Sequence, residues 1–151
     1  MSRRKRLVFI SYKDSEALEY ATEAKRVFEG CGYATWVWHC DRRSTVYVFE
    51  EIEESVRACD FFLYICTQGS HDSWGQRYER NMALNYEKIP TILTFSPDFV
   101  SGMLKPFDRR PVSSETFSEE CQNVAEGLRC QEKLHSAVAK YHKEGEPVES
   151  A

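Results

Sequence analysis

The chain has 151 residues, 42% of them hydrophobic and 29% charged, with a formal net charge of −4. That length suffices for one domain with a buried core and is short for two, and the mild negative charge argues against affinity built on neutralising nucleic-acid phosphates. No apolar run approaches the roughly 20 residues needed to cross a bilayer, and the polar start lacks the apolar segment of a secretory leader, so a cytoplasmic location without membrane or nucleic-acid partners is expected.

Arg3-Arg4-Lys5-Arg6 reads as a basic flank that keeps a sheet edge soluble. Leu7 to Ile10 is a short continuous apolar run ended by Ser11-Tyr12-Lys13-Asp14-Ser15, the pattern of a strand buried on both faces of a parallel sheet. Ala17, Ala21, Ala24 and Phe28 then recur at helical spacing, widened by Leu18 and Val27, until Gly30 and Gly32 stop the helix. Tyr33 to Trp38 is aromatic and β-branched enough for a second strand, and Ile52 and Val56 mark the inner face of a short acidic helix from about Phe49. Phe61 to Cys66 is the most strand-like segment of the chain, and Pro90 to Phe95 is a fourth strand. Between them, Met82, Ala83 and Tyr86 suit a helix packed on the sheet. Residues 96–116, with three prolines, read as irregular with room for a short edge strand. Phe117, Cys121, Val124 and Leu128 resume the helical period, which changes phase near Cys130, so the last helix is either long or broken. Residues 1–144 are expected to form one domain and 145–151 a flexible polar tail.

Strands alternating with helices predict an open parallel sheet with right-handed crossovers and helices on both faces. Ligands in such folds bind outside the carboxyl ends of the strands, here the loops after Ile10, Trp38, Cys66 and Phe95. Those loops carry neither a Gly-x-Gly-x-x-Gly dinucleotide fingerprint nor a Lys-Ser/Thr phosphate loop. Asp14, Asp41 and Asp60 do not complete the magnesium cluster of a phosphorelay receiver, since no lysine follows the fourth strand. The six cysteines include no Cys-x-x-Cys pair, which favours reduced, mostly buried thiols over disulfides; zinc, with His39 beside Cys40, is the weaker alternative, and no metal is assigned.

Several segments resemble a known family. "RLVFISYKDSE" is similar to the opening strand and loop of Toll/interleukin-1 receptor (TIR) domains, and "EEIEESVRACDFFLYICTQGS" to their second helix and third strand. "SWGQRYERNMAL" resembles the segment carrying the catalytic glutamate of NAD-cleaving TIR domains, and "IPTILTF" their fourth strand. The resemblance covers most of residues 6 to 95. It implies a flavodoxin-like sheet of about five strands, NAD+ as substrate rather than cofactor, and an NAD+ glycohydrolase or ADP-ribosyl cyclase of prokaryotic anti-phage defence or signalling. It also implies self-association through TIR–TIR contacts and an effector protein or second-messenger recipient downstream.

The resemblance nominates Glu79 as the catalytic carboxylate. Nicotinamide leaves as a neutral base from a cationic ring, so one carboxylate that stabilises an oxocarbenium-like ribose is enough. Substrate-binding candidates are Phe9, Ser11 and Tyr12 at the end of the first strand, Ser73 and Trp74 before the glutamate, and Arg42 and Arg43 for the pyrophosphate. The last two lie in residues 39–48, which match the family's ligand-closing BB loop but lack its usual glycine and proline. Trp74 stands five residues before Glu79, where enzymatic members commonly have four. By residue chemistry alone, Glu79 also reads as a solvated residue favoured by a helix start, Trp74 as packing, Phe9 and Tyr12 as core, and Arg42-Arg43 as a solvated turn. Two other functions fit the pattern: a non-enzymatic TIR adaptor acting by self-association, and a nucleoside deoxyribosyltransferase-like enzyme.

Overall fold

The computed structural model describes residues 4–43 and 47–145; the centre of the expected closing loop, 44–46, and the tail 146–151 lie outside the described residues. In chain order the elements are β1 (Leu7–Ser11), α1 (Asp14–Gly30), β2 (Ala34–Val37), a single helical turn α2 (Trp38–Asp41), α3 (Val48–Ala58) and β3 (Phe61–Cys66). They continue with α4 (Trp74–Asn85), β4 (Pro90–Thr94), β5 (Arg109–Pro111) and α5 (Phe117–Gly145). The five strands form one parallel sheet in the order β2-β1-β3-β4-β5, the flavodoxin-like arrangement.

Alternation along β1 distributes the core to two faces. Val8 and Ile10 pack with Ala17, Ala21, Ala24 and Phe28 of α1 and with Phe117, Cys121 and Val124 of α5. Phe9 faces the other way, onto Ile52 and Val56 of α3 and Ala83 of α4. The valines, isoleucines and phenylalanines among them each contribute about 1.5–3 kcal/mol by leaving water, which is why the periodic stripes seen in the sequence become the buried faces. Because β2 and β3 lie on opposite sides of β1, the strand order reverses at β1/β3, and the carboxyl edge at such a switch point is where open α/β sheets bind ligands.

Two details differ from the sequence expectation, and one alternative it left open is decided. The second strand ends at Val37, and Trp38 begins α2, because the Asp41 carboxylate accepts the Val37 N–H at 2.8 Å and curls the chain back. The last helix takes the long form: no proline interrupts 117–145, and the helix runs past Cys130 unbroken. Of the six free thiols, Cys59, Cys66 and Cys121 are buried, Cys31 is half-buried, and Cys40 and Cys130 are exposed, so half rather than most are core residues. The short edge strand is β5, whose Pro111 sits at an outer position that requires no ladder donor. Among the described residues no helix is long and apolar enough to cross a membrane.

Candidate active site

Helix α4 is started by Ser73, whose hydroxyl accepts the Gln76 N–H at 3.2 Å in a standard N-cap. From that start, Gln76 and Glu79 fall three residues apart and therefore on one face, the face turned to the sheet. Glu79 is 7% exposed, and its Oε1 accepts the hydroxyl of Ser11, the last residue of β1, at 2.7 Å. Ser11 pairs in register with Tyr64 of β3. The next carbonyl of β3, Ile65 C=O, accepts Gln76 Nε2 at 2.9 Å. The carboxyl and the carboxamide thus meet the sheet at neighbouring points of the carboxyl edge, at the β1/β3 switch point.

Burial raises the Glu79 carboxyl to about 8, against the opposing effect of the Ser11 hydrogen bond. At neutral pH the group is mostly protonated. The alternative of a solvated residue at the helix start is overturned: Glu79 lies in the second turn, faces inward and has a buried partner.

The rim is fixed by two ties between loops. Glu16, in the first turn of α1, accepts the Thr67 hydroxyl at 2.5 Å and the Gly69 N–H at 2.9 Å, joining the loops after β1 and β3. The Thr67 hydroxyl, followed by the Gly69 amide, holds its carboxyl below the usual range. Tyr12 makes the second tie, accepting the His39 N–H at 3.1 Å and so joining the loops after β1 and β2. Burial pushes the Tyr12 phenol up to about 12.

The sequence-nominated residues divide by this geometry. Ser11 and Glu79 are brought together, Tyr12 is at the rim but buried on the α1 side, and Ser73 supports α4 from its cap. Phe9 is not on the rim. In register with Trp36 and Phe62, its ring is stacked on both, at 4.9 Å and 5.3 Å, and it has no exposed surface with which to stack on a base.

Trp74 is 58% exposed and packs on Tyr78 at 5.7 Å and edge-on to Phe49 at 5.3 Å. Five residues of a continuous helix turn it about 140° from Glu79. Arg42 lies over the Trp38 ring at 5.1 Å. Arg43 is engaged by two carboxylates: Glu51 takes its N–H at 2.7 Å and Glu54 its guanidinium at 3.0 Å. Neither arginine touches Ser11 or Glu79, and Arg43 is already neutralised by its partners.

Gln76, Glu16 and the buried Glu51 were not singled out from the sequence. Helical spacing back from Glu79 would have found Gln76; the other two are recognised only once the loops are in place. Among the described residues no three His, Cys, Asp or Glu side chains form a group able to hold a metal ion.

The fold is shared with several solved proteins. A metazoan TIR-STING receptor from C. gigas, solved in complex with 2′,3′-cGAMP, superposes with a TM-score of 0.66 at 14% identity over 83% of this chain and 41% of that one. This chain therefore spans less than half of that receptor. A CMP N-glycosidase from Clostridium botulinum gives 0.56 at 13% identity, covering 79% and 97% of the two chains. A diflavin flavoprotein from Nostoc sp. gives 0.53 at 10% identity, covering 89% and 99%. No curated protein matches the chain at a significant level. The family model of the TIR domain matches residues 8–124. That span contains β2 to β5, all of β1 but Leu7, and Ser11, Gln76 and Glu79, and the chain belongs to the TIR domain family.

Proposed function

We propose that the chain cleaves the bond between nicotinamide and ribose in NAD+, as a glycohydrolase or an ADP-ribosyl cyclase. The observation that carries this reading is the inward-facing Glu79 carboxyl, held on the Ser11 hydroxyl at the carboxyl edge of the sheet where the strand order reverses. That edge is where ligands bind in open α/β sheets, and a carboxyl there can be set beneath a sugar.

In the reaction the C1′–N bond breaks with its electron pair passing to the pyridinium nitrogen, so the leaving nicotinamide is neutral and takes no proton. Positive charge moves to the ribose, where an ionised Glu79 stabilises it. Water then adds to C1′ and releases a proton, or the adenine of the same molecule adds and closes a ring. The bound pyridinium cation also lowers the affinity of Glu79 for its proton, so the substrate itself favours the reactive carboxylate. The Ser11 hydroxyl supports the same ionised form.

Glu79 is shielded, and access to it requires a rearrangement at the rim. Assembly is the proposed trigger, with activity in the cytosol and a role in prokaryotic defence or signalling. The aromatic trio of the exposed Phe49 and Trp74 with the half-buried Tyr78 gives specific support to self-association, and it equally suits an adaptor without enzymatic activity. The shared fold with an N-glycosidase keeps nucleotides and nucleosides as alternative substrates.

Incubation with NAD+, CMP and deoxynucleosides, followed by chromatography for nicotinamide, free base and linear or cyclic ADP-ribose, tests the proposal. Nicotinamide release that disappears in Glu79→Gln supports it. Retention of full turnover in that variant refutes the assignment, and no cleavage of any substrate by assembled protein leaves the adaptor.

A further inference from the structure

Gln76 is 1% exposed, and its Oε1 has no hydrogen-bond partner, alone in this among the buried side-chain atoms of the described residues. Buried carboxamides ordinarily satisfy both ends, since an acceptor removed from water and left unpaired bears its full desolvation penalty. The direction of this amide is settled by its neighbour. Ile65 C=O can only accept, so the end 2.9 Å from it is the NH2 group and the unpaired end is oxygen.

Topology explains why a side-chain donor is needed at Ile65. Cys66 C=O turns toward β4, where it accepts the Phe95 N–H at 3.1 Å. Successive carbonyls of a strand alternate in direction, so Ile65 C=O turns toward β1. The β1–β3 ladder ends one residue earlier, at the Ser11–Tyr64 pair, and Gln76 Nε2 stands in for the missing strand amide. This anchors the carboxamide at the β1/β3 edge of the sheet, on a helix position one turn from that of Glu79, a spacing of about 5–6 Å between Cβ positions.

A carboxyl and an anchored, unpaired acceptor on neighbouring positions of one helix face can contact adjacent groups of one furanose ring. We infer that Gln76 is a further substrate-contacting residue, whose Oε1 accepts the hydrogen bond of a ribose hydroxyl while Glu79 faces the anomeric carbon. The inference rests on the N-ribosyl cleavage proposed above. It assigns Gln76 two tasks: Nε2 locks α4 to the sheet edge, and Oε1 orients the sugar as charge develops on it. Hydrogen bonds to sugar hydroxyls that tighten in the transition state assist glycoside cleavage generally.

The test compares wild type with Gln76→Met on NAD+ and on analogues whose nicotinamide ribose lacks the 2′- or the 3′-hydroxyl. Gln76→Met is expected to lower kcat/KM for NAD+ by about 10–100-fold, and the loss is expected to shrink to about twofold on the analogue missing the contacted hydroxyl. A second measurement uses the unaltered protein and carba-NAD, whose ring oxygen is replaced by methylene so that the bond is not cleaved. The side-chain amide resonance of Gln76, identified by its absence in Gln76→Met, is expected to move on binding.

Equal losses on all three substrates, with an unmoved amide resonance, overturn the role of Gln76 and leave the cleavage proposal standing. A moved resonance without NAD+ turnover supports the contact and counts against cleavage. Absence of both binding and turnover overturns the two together.

Discussion

The Ser11 hydroxyl donates a 2.7 Å hydrogen bond to Oε1 of Glu79, across 68 positions of sequence, and both groups are buried. A carboxyl in this setting is caught between two influences. Burial favours the neutral acid, and the hydroxyl favours the carboxylate. The chemistry proposed for the site follows from which of them prevails.

Removing the carboxylate charge while keeping the shape, in Glu79→Gln, is expected to reduce nicotinamide release by at least about 1000-fold, the scale of a principal electrostatic stabiliser. Binding of carba-NAD should change far less. Parallel measurement of turnover and of binding by calorimetry checks this, and a fall in affinity matching the fall in rate would show a binding role instead.

The same carboxyl makes stability depend on pH. Its ordinary value of 4.5 applies to the unfolded chain, and about 8 to the folded one. Between these limits the folded state holds the proton that the unfolded state has lost, so this group's contribution to stability falls as pH rises from 4.5 to 8. The slope is about 1.4 kcal/mol per pH unit where the difference is fully developed. Glu79→Gln lacks that slope. Thermal melts at pH 5, 7 and 9 should show the variant gaining progressively on wild type, and a constant offset would contradict the buried acid.

For catalysis the sign is the reverse, since the ionised form acts. In free enzyme the ionised fraction grows as pH approaches about 8, so kcat/KM should rise through that region. The limb for kcat should lie at lower pH, because the bound pyridinium favours the carboxylate. Ser11→Ala removes the hydrogen bond that favours the charged form and should move the kcat/KM limb up by about one pH unit. Coincident profiles for wild type and Ser11→Ala would show that the hydroxyl does not tune the site.

Glu16→Ala cuts the tie between the loops after β1 and β3, leaving the Thr67 hydroxyl and Gly69 N–H without their acceptor. Hydrogen bonds to a charged group contribute about 1.5–3 kcal/mol each when buried, and partial exposure here reduces that, so a loss of about 1–2 kcal/mol in urea unfolding is expected. The Glu16 carboxyl lies below its ordinary range, so its contribution is complete above the unfolded value and fades as pH falls through the folded one. The difference between variant and wild type should therefore narrow in acid.

Trp74→Ala should leave the folded monomer within about 1 kcal/mol of wild type, because the ring is exposed and its contacts are at the surface. If the aromatic trio joins copies of the chain, the variant should also weaken self-association in sedimentation and flatten the dependence of activity on protein concentration. Unchanged sedimentation would remove the trio from the assembly.

The residue pattern alone specified the sheet and its helices, because continuous apolar runs such as Phe61–Cys66 and stripes such as Ala17-Ala21-Ala24-Phe28 leave water by pairing into a sheet or packing as a helix face. It also pointed to Glu79, through the resemblance of its neighbourhood. The folded chain was needed to show which face that carboxyl occupies, that Phe9 is enclosed between Trp36 and Phe62, and that Arg43 is paired with Glu51 and Glu54. Those outcomes depend on strand register, on where Ser73 starts a helix, and on partners dozens of residues away. Hydrophobic periodicity is a local property of the chain, whereas the burial and charge of a single polar group are set by what the fold brings against it.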